Sequence, residues 1–379
     1  MPGNEIVGKE ELNELKKIFT KSNGVLFAHA FDKRRKNIFR IRSFEKELSK
    51  FFKIKYVQCV SSGTAAIKVG LKALGVKYGD EVITQSFNFI ATIEAILDLG
   101  AKPIITKIDD SLNMCPDDLK KKINSKTKAV IPVHMLGFSA DMSKISKICR
   151  EKNIPILEDN CESVGAKFNK KYLGTLGDIG VFSFDFGKNI TTGEGGALLT
   201  KNKKLFKFCK EYHDHGHELN PKYPRGMDTV KIFGFNYRMT EMQGAVGLAQ
   251  IKKLKKILRE NKIRYEILYK NLKDNYKIRT LFKGTTPSYD TMMFEVKNNK
   301  LRSKIISFLK KKKIGTKNVP DAIKWHFAHY WKHAINMEQI KSIQSSRKKI
   351  ESYIAIPILI KQKVSTYKEI GSYIKKLAD

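Results

Sequence analysis

One lysine lies between an apolar stretch and a glycine-rich turn, and lysine is the residue type that forms Schiff bases. The segment is Gly180 to Gly196, GVFSFDFGKNITTGEGG, with Lys188 at its centre. A lysine amine reacts with a carbonyl when its surroundings keep it partly unprotonated. The glycines let the chain bend tightly around a bulky group. A surface lysine before an ordinary turn is the alternative, but the flanking apolar and glycine residues favour a covalent role for Lys188.

A second candidate is the segment Ser61 to Ala66, SSGTAA, which follows an apolar run and opens an amphipathic one. Backbone N–H groups at the start of a helix carry partial positive charge and suit a phosphate. Gly63 would let the backbone approach a ligand, and Thr64 would add a hydroxyl donor. Serine and threonine at such a place are more often plain N-caps. This segment alone therefore does not establish phosphate binding.

Two adjacent carboxylates, Glu158 and Asp159, end the apolar run 154–157. A carboxylate just past a buried strand is costly unless it meets a partner. A protonated pyridine nitrogen is one suitable partner. The alternative is an aspartate that caps the following segment, and in isolation the two interpretations have similar weight.

These residues need a scaffold that brings three loops together. From Lys55 to Thr200, short apolar runs alternate with amphipathic stretches. The predicted strands are Tyr56–Val60, Glu81–Thr84, Pro103–Ile108, Ala129–Val133, Pro155–Leu157, Val181–Phe184 and Ala197–Thr200, and the predicted helices are Ala65–Leu74, Ala91–Leu99, Pro116–Ile123 and Met142–Lys152. Such alternation predicts an α/β fold with a mostly parallel sheet covered on both faces. Ligands then bind in the loops at the strand ends.

A chain of 379 residues exceeds the size at which one core usually stops growing. Met239 to Leu272 is predicted to be one long helix that leads into a second, smaller domain. We expect residues 1–250 to form the large domain and residues 251–379 a C-terminal α+β domain. The elements predicted there are strands Thr291–Val296 and Ile354–Ile358 and helices Leu301–Lys312 and Tyr367–Leu377.

The net charge of +35 comes from 73 lysines and arginines against 38 acidic residues. Nucleic-acid binding is one interpretation. The lysines are spread along the whole chain and no nucleic-acid-binding motif accompanies them, so an ordinary basic surface is favoured. Attraction of an anionic substrate is compatible with either interpretation. We expect no nucleic-acid partner.

The sequence also lacks signs of a membrane or oxidising environment. No apolar run approaches the roughly 18 residues that a membrane helix needs, so no membrane insertion is expected. The N-terminal segment lacks the features of a signal peptide. The five cysteines are odd in number and none stands at CxxC spacing. These features predict a cytoplasmic protein.

Two groups of histidines have spacings that a metal site could use. His213, His215 and His217 alternate, which on a strand would put them on one side. His329 and His333 have helical spacing. Neither group has an evident third ligand at motif spacing, so we expect no metal site.

The order of the motifs identifies a family. The motifs SGT, FIAT, EDNCE, FSF…K…TTGEGG and GFNYRMTE follow one another as in the DegT/StrS sugar aminotransferases, which this chain resembles over nearly its whole length, most clearly from Lys55 to Leu254. The resemblance implies an enzyme that depends on pyridoxal 5'-phosphate and has the type I fold of such enzymes. That fold has a large domain with a mostly parallel seven-stranded sheet between helices, and a smaller C-terminal domain.

The resemblance also implies which residues hold the cofactor. Gly63, Thr64 and Ser183 would bind its phosphate, and Phe89 would stack on its ring. Asp159 would pair with the ring nitrogen and keep the ring an electron sink.

Three further roles follow from the same resemblance. Glu162 takes the place of a residue, often glutamine, that bonds the phenolic oxygen of the cofactor. Lys188 would form the Schiff base and act as general base. Asn236 would reach the phosphate of the neighbouring subunit's cofactor, which would make the enzyme a homodimer with shared active sites.

The sequence indicates the type of reaction more clearly than it indicates the acceptor sugar. A related branch with histidine at the lysine position is a dehydratase, so Lys188 favours transamination, with glutamate as the expected donor. The branch that makes 8-amino-3,8-dideoxy-octulosonate for lipopolysaccharide is resembled by Asp185, by the segments 214–217 and 325–333, and by the opening Met1–Gly3 and the segment Pro357–Lys361. A nucleotide-linked 4-keto-6-deoxy hexose is the alternative acceptor. A non-catalytic regulatory or nucleic-acid-binding protein on the same fold is the alternative from another class.

Overall fold

The strands and helices follow the predicted alternation closely. The computed structural model describes residues 2–220, 222–224 and 226–378. The strands are β1 (Tyr56–Val60), β2 (Glu81–Gln85), β3 (Lys102–Thr106), β4 (Thr127–Ile131), β5 (Leu157–Asp159), β6 (Lys167–Phe168), β7 (Lys171–Tyr172), β8 (Ile179–Ser183), β9 (Gly196–Thr200), β10 (Thr285–Thr286), β11 (Thr291–Glu295) and β12 (Tyr353–Pro357). The helices are α1 (Pro2–Glu5), α2 (Lys9–Lys21), α3 (Arg40–Phe52), α4 (Gly63–Ala73), α5 (Ala91–Asp98), α6 (Pro116–Lys122), α7 (Met142–Glu151), α8 (Lys203–Tyr212), α9 (Glu241–Leu272), α10 (Asn299–Lys311), α11 (Ile323–His326), α12 (Met337–Ser342), α13 (Gln344–Glu351) and α14 (Val364–Lys376).

The central sheet has seven strands in the order β1-β9-β8-β5-β4-β2-β3. Its two hydrogen-bonded groups, β1-β9-β8-β5 and β3-β2-β4, are joined by parallel bridges from Val130 to Ile156 and from Val133 to Asp159. Strand β9 runs antiparallel to both neighbours, and the pairs from β8 to β3 are parallel. The prediction of an α/β fold with a mostly parallel sheet is confirmed.

Strand β5 lies two residues later than predicted, at Leu157–Asp159 instead of Pro155–Leu157. Pro155 has no N–H to donate, and the N–H of Ile156 donates to Asp178 Oδ2 at 2.8 Å. The N–H of Asp159 donates instead to the carbonyl of Pro132 at 3.0 Å. The ladder therefore reaches the two carboxylates themselves and fixes them at the edge of the sheet.

The small residues at the start of α9 let another helix approach closely. A Cβ added to Gly244 would lie 2.7 Å from the backbone nitrogen of Ile41, and one added to Gly247 would lie 2.5 Å from the Phe44 ring. Both contacts are with α3, whose apolar residues pack into the core beside the sheet. This packing explains why the first two turns of α9 contain glycine and alanine.

The C-terminal residues form a second apolar core around the antiparallel pair β11–β12. Helices α10 and α14 and the far end of α9 cover it, with Leu268, Phe294, Ile305, Ile356 and Ile370 fully buried. The predicted boundary at residue 250 falls inside α9, and the division into two domains stays a prediction. Among the described residues no helix combines the length and apolar character that crossing a membrane requires.

Candidate active site

The loops after β1, β5 and β8 open into one cavity of about 510 Å³ at the edge of the central sheet. All the predicted site residues except Asn236 line this cavity: Gly63, Thr64, Phe89, Asp159, Glu162, Ser183 and Lys188. A volume of this size is typical of small-molecule sites. The fold therefore brings together residues that lie up to 125 positions apart, since Gly63 and Lys188 border the same space.

One end of the cavity is formed by the start of α4. Ser62 caps this helix by accepting a hydrogen bond from the Ala65 N–H at 3.0 Å. A Cβ added to Gly63 would lie 2.8 Å from Ser183 Cβ, so the glycine is what allows β8 to place Ser183 beside the helix start. The positive end of the helix dipole and a nearby hydroxyl are suited to bind a phosphate.

Lys188 lies in a tight turn directly after β8. Its N–H donates to the Asp185 carbonyl at 3.1 Å, and the Gly187 N–H donates to Asp185 Oδ1 at 2.8 Å. On the outer side, the Gly3 N–H donates to the Lys188 carbonyl at 3.1 Å. The backbone of Lys188 is therefore held from two sides while its side chain extends into the cavity.

The ammonium of Lys188 meets the carboxylate of Glu162. Lys188 Nζ lies 2.6 Å from Glu162 Oε1, and Lys317 Nζ lies 3.4 Å from Glu162 Oε2. Burial alone raises the pKa of Glu162, but the charges of Lys188 and Lys317 outweigh it and hold that pKa well below its usual range. Burial alone lowers the pKa of Lys188, but Glu162 outweighs it and raises that pKa above its usual range. In the absence of a cofactor, both groups are thus charged.

The two adjacent carboxylates of β5 face opposite sides of the sheet. Glu158 accepts hydrogen bonds from the N–H groups of Gly174 at 2.6 Å, Leu176 at 2.8 Å and Gly177 at 2.9 Å, away from the cavity. Asp159 lines the cavity and accepts from Thr92 Oγ1 and from the Cys161 N–H, each at 3.1 Å. Alternation along the strand therefore assigns Glu158 to the structure and leaves Asp159 to the site.

Asp159 is prepared for a cationic partner. Burial raises its pKa, and the hydrogen bonds from Cys161 and Thr92 oppose that rise without cancelling it. A buried carboxylate gains most when a positive group lies beside it. A protonated ring nitrogen would supply that charge.

Phe89 is 41% exposed and forms part of the cavity wall. Its position is fixed by the C-terminal part of the chain, because the Asn88 N–H donates to the His326 carbonyl at 2.9 Å. The Phe89 and His326 rings lie 5.2 Å apart. An aromatic face at this place is available to a flat ring.

The C-terminal part contributes a wall of the cavity that consists of Lys317, Asn318 and His326. Lys317 and Asn318 are not singled out by the sequence, and His326 is noted there only within the segment 325–333, without a place in the site. Asn318 is 7% exposed, and its Nδ2 has no hydrogen-bond partner within the described residues. A buried donor without a partner is costly, so this amide is prepared for an acceptor on a ligand. The segment 317–320, KNVP, matches no known motif, so nothing in the local sequence indicates that Lys317 and Asn318 belong to the site.

His326 has a defined tautomer. Its Nδ1 lies 2.8 Å from the Ala322 carbonyl, which can only accept, so Nδ1 carries the proton. Burial lowers the pKa of His326, although Glu162 opposes the shift. The neutral ring therefore offers Nε2 as an acceptor.

Asn236 lies outside the cavity of its own subunit. Its side chain is exposed, and its backbone pairs with Asp214 in an antiparallel bridge. The neighbouring Tyr237 carbonyl accepts from the Ser61 N–H at 2.8 Å, so this segment lies beside the residues that lead into α4 but does not line the cavity. The role predicted for Asn236 across a dimer stays a prediction.

The alternating histidines do not lie on a strand. His213 is buried at the end of α8, where its Nε2 lies 3.1 Å from Gln58 Nε2, and His215 has a left-handed backbone with φ +54°. His217 contacts Asp228 at 2.9 Å. The segment makes only isolated bridges, from Asp214 to Asn236 and from His217 to Val230, so the alternation expected of a continuous strand does not apply to it. His329 lies in a single 3-10 turn, Ala328–Tyr330, which ends before His333.

Comparison with known proteins agrees with this geometry. The DegT/DnrJ/EryC1/StrS aminotransferase family model matches residues 34–375. The GDP-perosamine synthase of Escherichia coli O157:H7 is 33% identical over 280 residues, which are 74% of this chain and 76% of that protein. The structure of Helicobacter pylori PseC, an aminotransferase involved in the biosynthesis of pseudoaminic acid, has a TM-score of 0.84 at 23% identity and covers 98% of this chain and 96% of its own.

A further structure of the same fold shows the cofactor. It is a GDP-4-keto-6-deoxymannose-3-dehydratase with PLP and glutamate trapped together in it, with a TM-score of 0.82, 22% identity, and coverage of 99% of this chain and 98% of its own. The fold is thus that of the type I enzymes that depend on pyridoxal phosphate. The chain belongs to the DegT/DnrJ/EryC1/StrS aminotransferase family. It is a sugar aminotransferase that uses pyridoxal 5'-phosphate.

The residues present fit this cofactor. Gly63, Thr64 and Ser183 line the cavity beside the start of α4 and would hold the phosphate, and Asp159 is a buried carboxylate whose pKa burial raises, so it would pair with a cationic ring nitrogen. When bound, pyridoxal phosphate supplies an electron sink that stabilises negative charge next to the reacting amine. The residues of this chain would bind the phosphate, orient the ring beside Phe89 and present the Lys188 amine.

Proposed function

We propose that this chain moves an amino group from glutamate onto the 8-oxo carbon of a 3-deoxy-octulosonate, for lipopolysaccharide biosynthesis, with Lys188 as the covalent and basic residue. One observation carries the proposal: Lys188 Nζ extends into a cavity that also holds Asp159 and the cap of α4. Lys188 would attach the cofactor and then hold and release the proton that moves during amine transfer.

The acceptor assignment is supported by where the branch-specific residues lie. Asp185 and His326, two of the residues that resemble the octulosonate branch, line the cavity. Trp325, next to His326, is 60% exposed. The C-terminal wall, with Lys317, Asn318 and the His326 ring, is therefore polar, and the exposed Trp325 ring adjoins it in sequence, which suits a sugar with several hydroxyl groups.

A nucleotide-linked 4-keto-6-deoxy hexose is the second candidate acceptor. The GDP-perosamine synthase similarity favours it, because GDP-perosamine is a nucleotide-linked amino sugar. A nucleotide would need a large surface beyond the cavity, and a second subunit could supply that surface. We propose a homodimer in which Asn236 of each subunit reaches the phosphate of the other subunit's cofactor.

A panel of acceptors separates the two candidates. Purified enzyme is first converted to its aminated form with glutamate and freed of excess donor. Its absorbance is then followed after addition of 8-oxo-3-deoxy-octulosonate or of a GDP- or dTDP-linked 4-keto-6-deoxy hexose. The proposal expects the octulosonate to restore the original spectrum at least about a hundredfold faster, a difference of roughly 2.7 kcal/mol in transition-state binding. Faster recovery with a nucleotide sugar would contradict the acceptor assignment and leave aminotransfer intact.

The same spectra address the non-catalytic alternative. A regulatory or nucleic-acid-binding protein on this fold would show no spectral change when glutamate is added. We expect glutamate to bleach the visible band of the purified protein, which would contradict that alternative.

A further inference from the structure

The turn after β8 and the C-terminal wall meet at one carboxylate. Glu162 Oε1 accepts from Lys188 Nζ at 2.6 Å, and Glu162 Oε2 lies 3.4 Å from Lys317 Nζ. Lys317 Nζ also donates to Asp290 Oδ2 at 2.7 Å. Lys188, Glu162, Lys317 and Asp290 thus form a row of alternating charges, which we call the charge row. All four side chains are largely buried, so these charges are poorly screened by water.

Lys317 is held in the charge row by contacts that do not involve Lys188. Its backbone N–H donates to the Ala355 carbonyl in β12 at 2.9 Å. Its partner Asp290 accepts a second hydrogen bond from the Ser288 hydroxyl at 2.9 Å. The ammonium of Lys317 therefore stays beside Glu162 whatever the charge of Lys188.

The chemistry of Lys188 requires such a neighbour. A lysine amine attacks a carbonyl or takes up a proton only when it is uncharged. Glu162 resists that change, because its charge stabilises the ammonium form of Lys188. If Lys188 were the sole partner of Glu162, loss of its proton would leave a buried carboxylate without a cation, which is strongly unfavourable.

We propose that Lys317 is a positioning residue that keeps Glu162 ionised and in place while Lys188 gives up its charge. The inference rests on the role proposed above for Lys188. Because Glu162 is shared between two ammonium groups, it holds each less strongly than it would hold one alone. Lys188 then loses its proton at lower pH than it would beside Glu162 without Lys317.

Other titratable groups act on the same carboxylate and its lysines. Those that face them within the described residues are His326, Cys161, Asp159, Asp185 and Asp290. Each is present in all variants that differ only at Lys317 and Glu162. Burial lowers the pKa of His326, Glu162 raises it and Lys317 lowers it further, so the charge of His326 responds to both substitutions. The comparison with the double variant therefore reports the coupling between Lys317 and Glu162 together with this response of His326.

The test measures how fast cofactor-free protein attaches pyridoxal phosphate, followed as the growth of the visible band at saturating cofactor and at a series of pH values. At saturation the rate reports the fraction of Lys188 that is uncharged. Four proteins are compared: wild type, Lys317→Met, Glu162→Gln and the double variant. Lys317→Met should move the midpoint of the pH profile up by about one unit, which slows attachment about tenfold at lower pH. In the Glu162→Gln background the same substitution should change the rate by less than about twofold.

Two results would overturn the inference. Equal slowing by Lys317→Met in both backgrounds would mean that Lys317 only anchors its segment. An attachment rate in Lys317→Met equal to that of wild type, with Glu162 present, would mean that Lys317 does not assist the loss of the Lys188 proton. Lys317→Arg, which keeps the charge, should attach the cofactor within about threefold of wild type, and Lys324→Met, which removes an exposed charge from the same segment, should do likewise.

Folding and the proposed function are checked separately. If Lys317→Met does not fold because Asp290 loses its partner, Asp290→Asn is added to all four proteins and the comparison is repeated. Mapping of the attached cofactor after reduction shows whether it is on Lys188. Attachment elsewhere would contradict the proposed function itself, whereas attachment to Lys188 with unchanged pH profiles would contradict only the inference about Lys317.

Discussion

The active-site cavity has two walls that differ in how the chain builds them. The first wall consists of Gly63, Asp159, Ser183 and Lys188, each at the end of a strand of the central sheet or in the residues that follow it. The second consists of Lys317, Asn318 and His326, between α10 and β12. The first wall holds the residues proposed to bind the cofactor and to react with it. The second holds Lys317, proposed to position Glu162, and also Asn318 and His326, which have no proposed cofactor role and are available to a substrate. We infer from this difference that reaction type is determined mainly by the first wall and specificity mainly by Asn318 and His326 in the second.

The largest loss of activity is expected from a substitution in the first wall. Lys188→Ala removes both the covalent tether and the base, so the overall transamination rate should fall by at least about a thousandfold. Turnover with glutamate and an accepted sugar measures this, and circular dichroism confirms that the variant is folded. A variant that retains a tenth of wild-type turnover would remove Lys188 from the chemistry.

The two walls also differ in how well the sequence predicts them. The strand–helix alternation and the glycine-rich turn located the first wall, because short-range patterns determine where a strand ends and a turn begins. Glu158 and Asp159 could not be separated until the strand register placed them on opposite faces. The second wall could not be predicted, because Lys317 reaches the site only through long-range contacts with Ala355 and Asp290. Contacts between residues this far apart in the chain leave no pattern in the neighbouring sequence from which they could be predicted.

The next effect separates neighbouring carboxylates. Asp159→Asn should lower transamination by roughly ten- to a thousandfold, because an opposite charge typically shifts a partner's pKa by about one to three units and an amide cannot. Glu158→Gln should instead lower stability by about 1–3 kcal/mol, since Gly174, Leu176 and Gly177 lose a charged acceptor. Turnover and urea unfolding are measured on both variants. A Glu158→Gln enzyme that is stable and slow, beside an Asp159→Asn enzyme that is fast, would reverse the assignment.

A smaller effect concerns cofactor retention across the proposed dimer. Asn236→Ala should weaken cofactor binding by roughly ten- to a hundredfold, since a hydrogen bond to a charged group contributes about 1.5–3 kcal/mol. Equilibrium dialysis of the cofactor measures this. The alternative is a local role, in which Asn236 Oδ1 accepts from the Arg238 N–H at 3.4 Å, and in that case stability falls and cofactor affinity does not.

Mixing variants shows whether Asn236 acts in the other subunit. A heterodimer of Lys188→Ala and Asn236→Ala subunits has one site with both residues and one with neither. Activity should partly return when the two proteins are mixed. If mixed dimers form and activity stays absent, the shared-site hypothesis is wrong.

The smallest expected effect tests the second wall. Asn318→Ala should raise KM for a substrate about tenfold and leave kcat within about threefold, because one hydrogen bond of about 1.4 kcal/mol is lost in both ground and transition states. Steady-state kinetics with each substrate varied in turn measures this. Asn298→Ala is the matched control, since that amide caps α10 away from the cavity and should lower stability alone. A fall in kcat with unchanged KM would place Asn318 in the chemistry instead.

The central claim is that Lys188, and no other lysine, holds the cofactor. Its most direct test is borohydride reduction of the purified enzyme followed by peptide mass spectrometry. Lys317 is the competing residue, because it is the other lysine among the described residues that line the cavity. A single pyridoxyl adduct is expected on the peptide that contains Lys188, and none on the peptide that contains Lys317. An adduct on Lys317 in the wild-type enzyme would contradict the central claim.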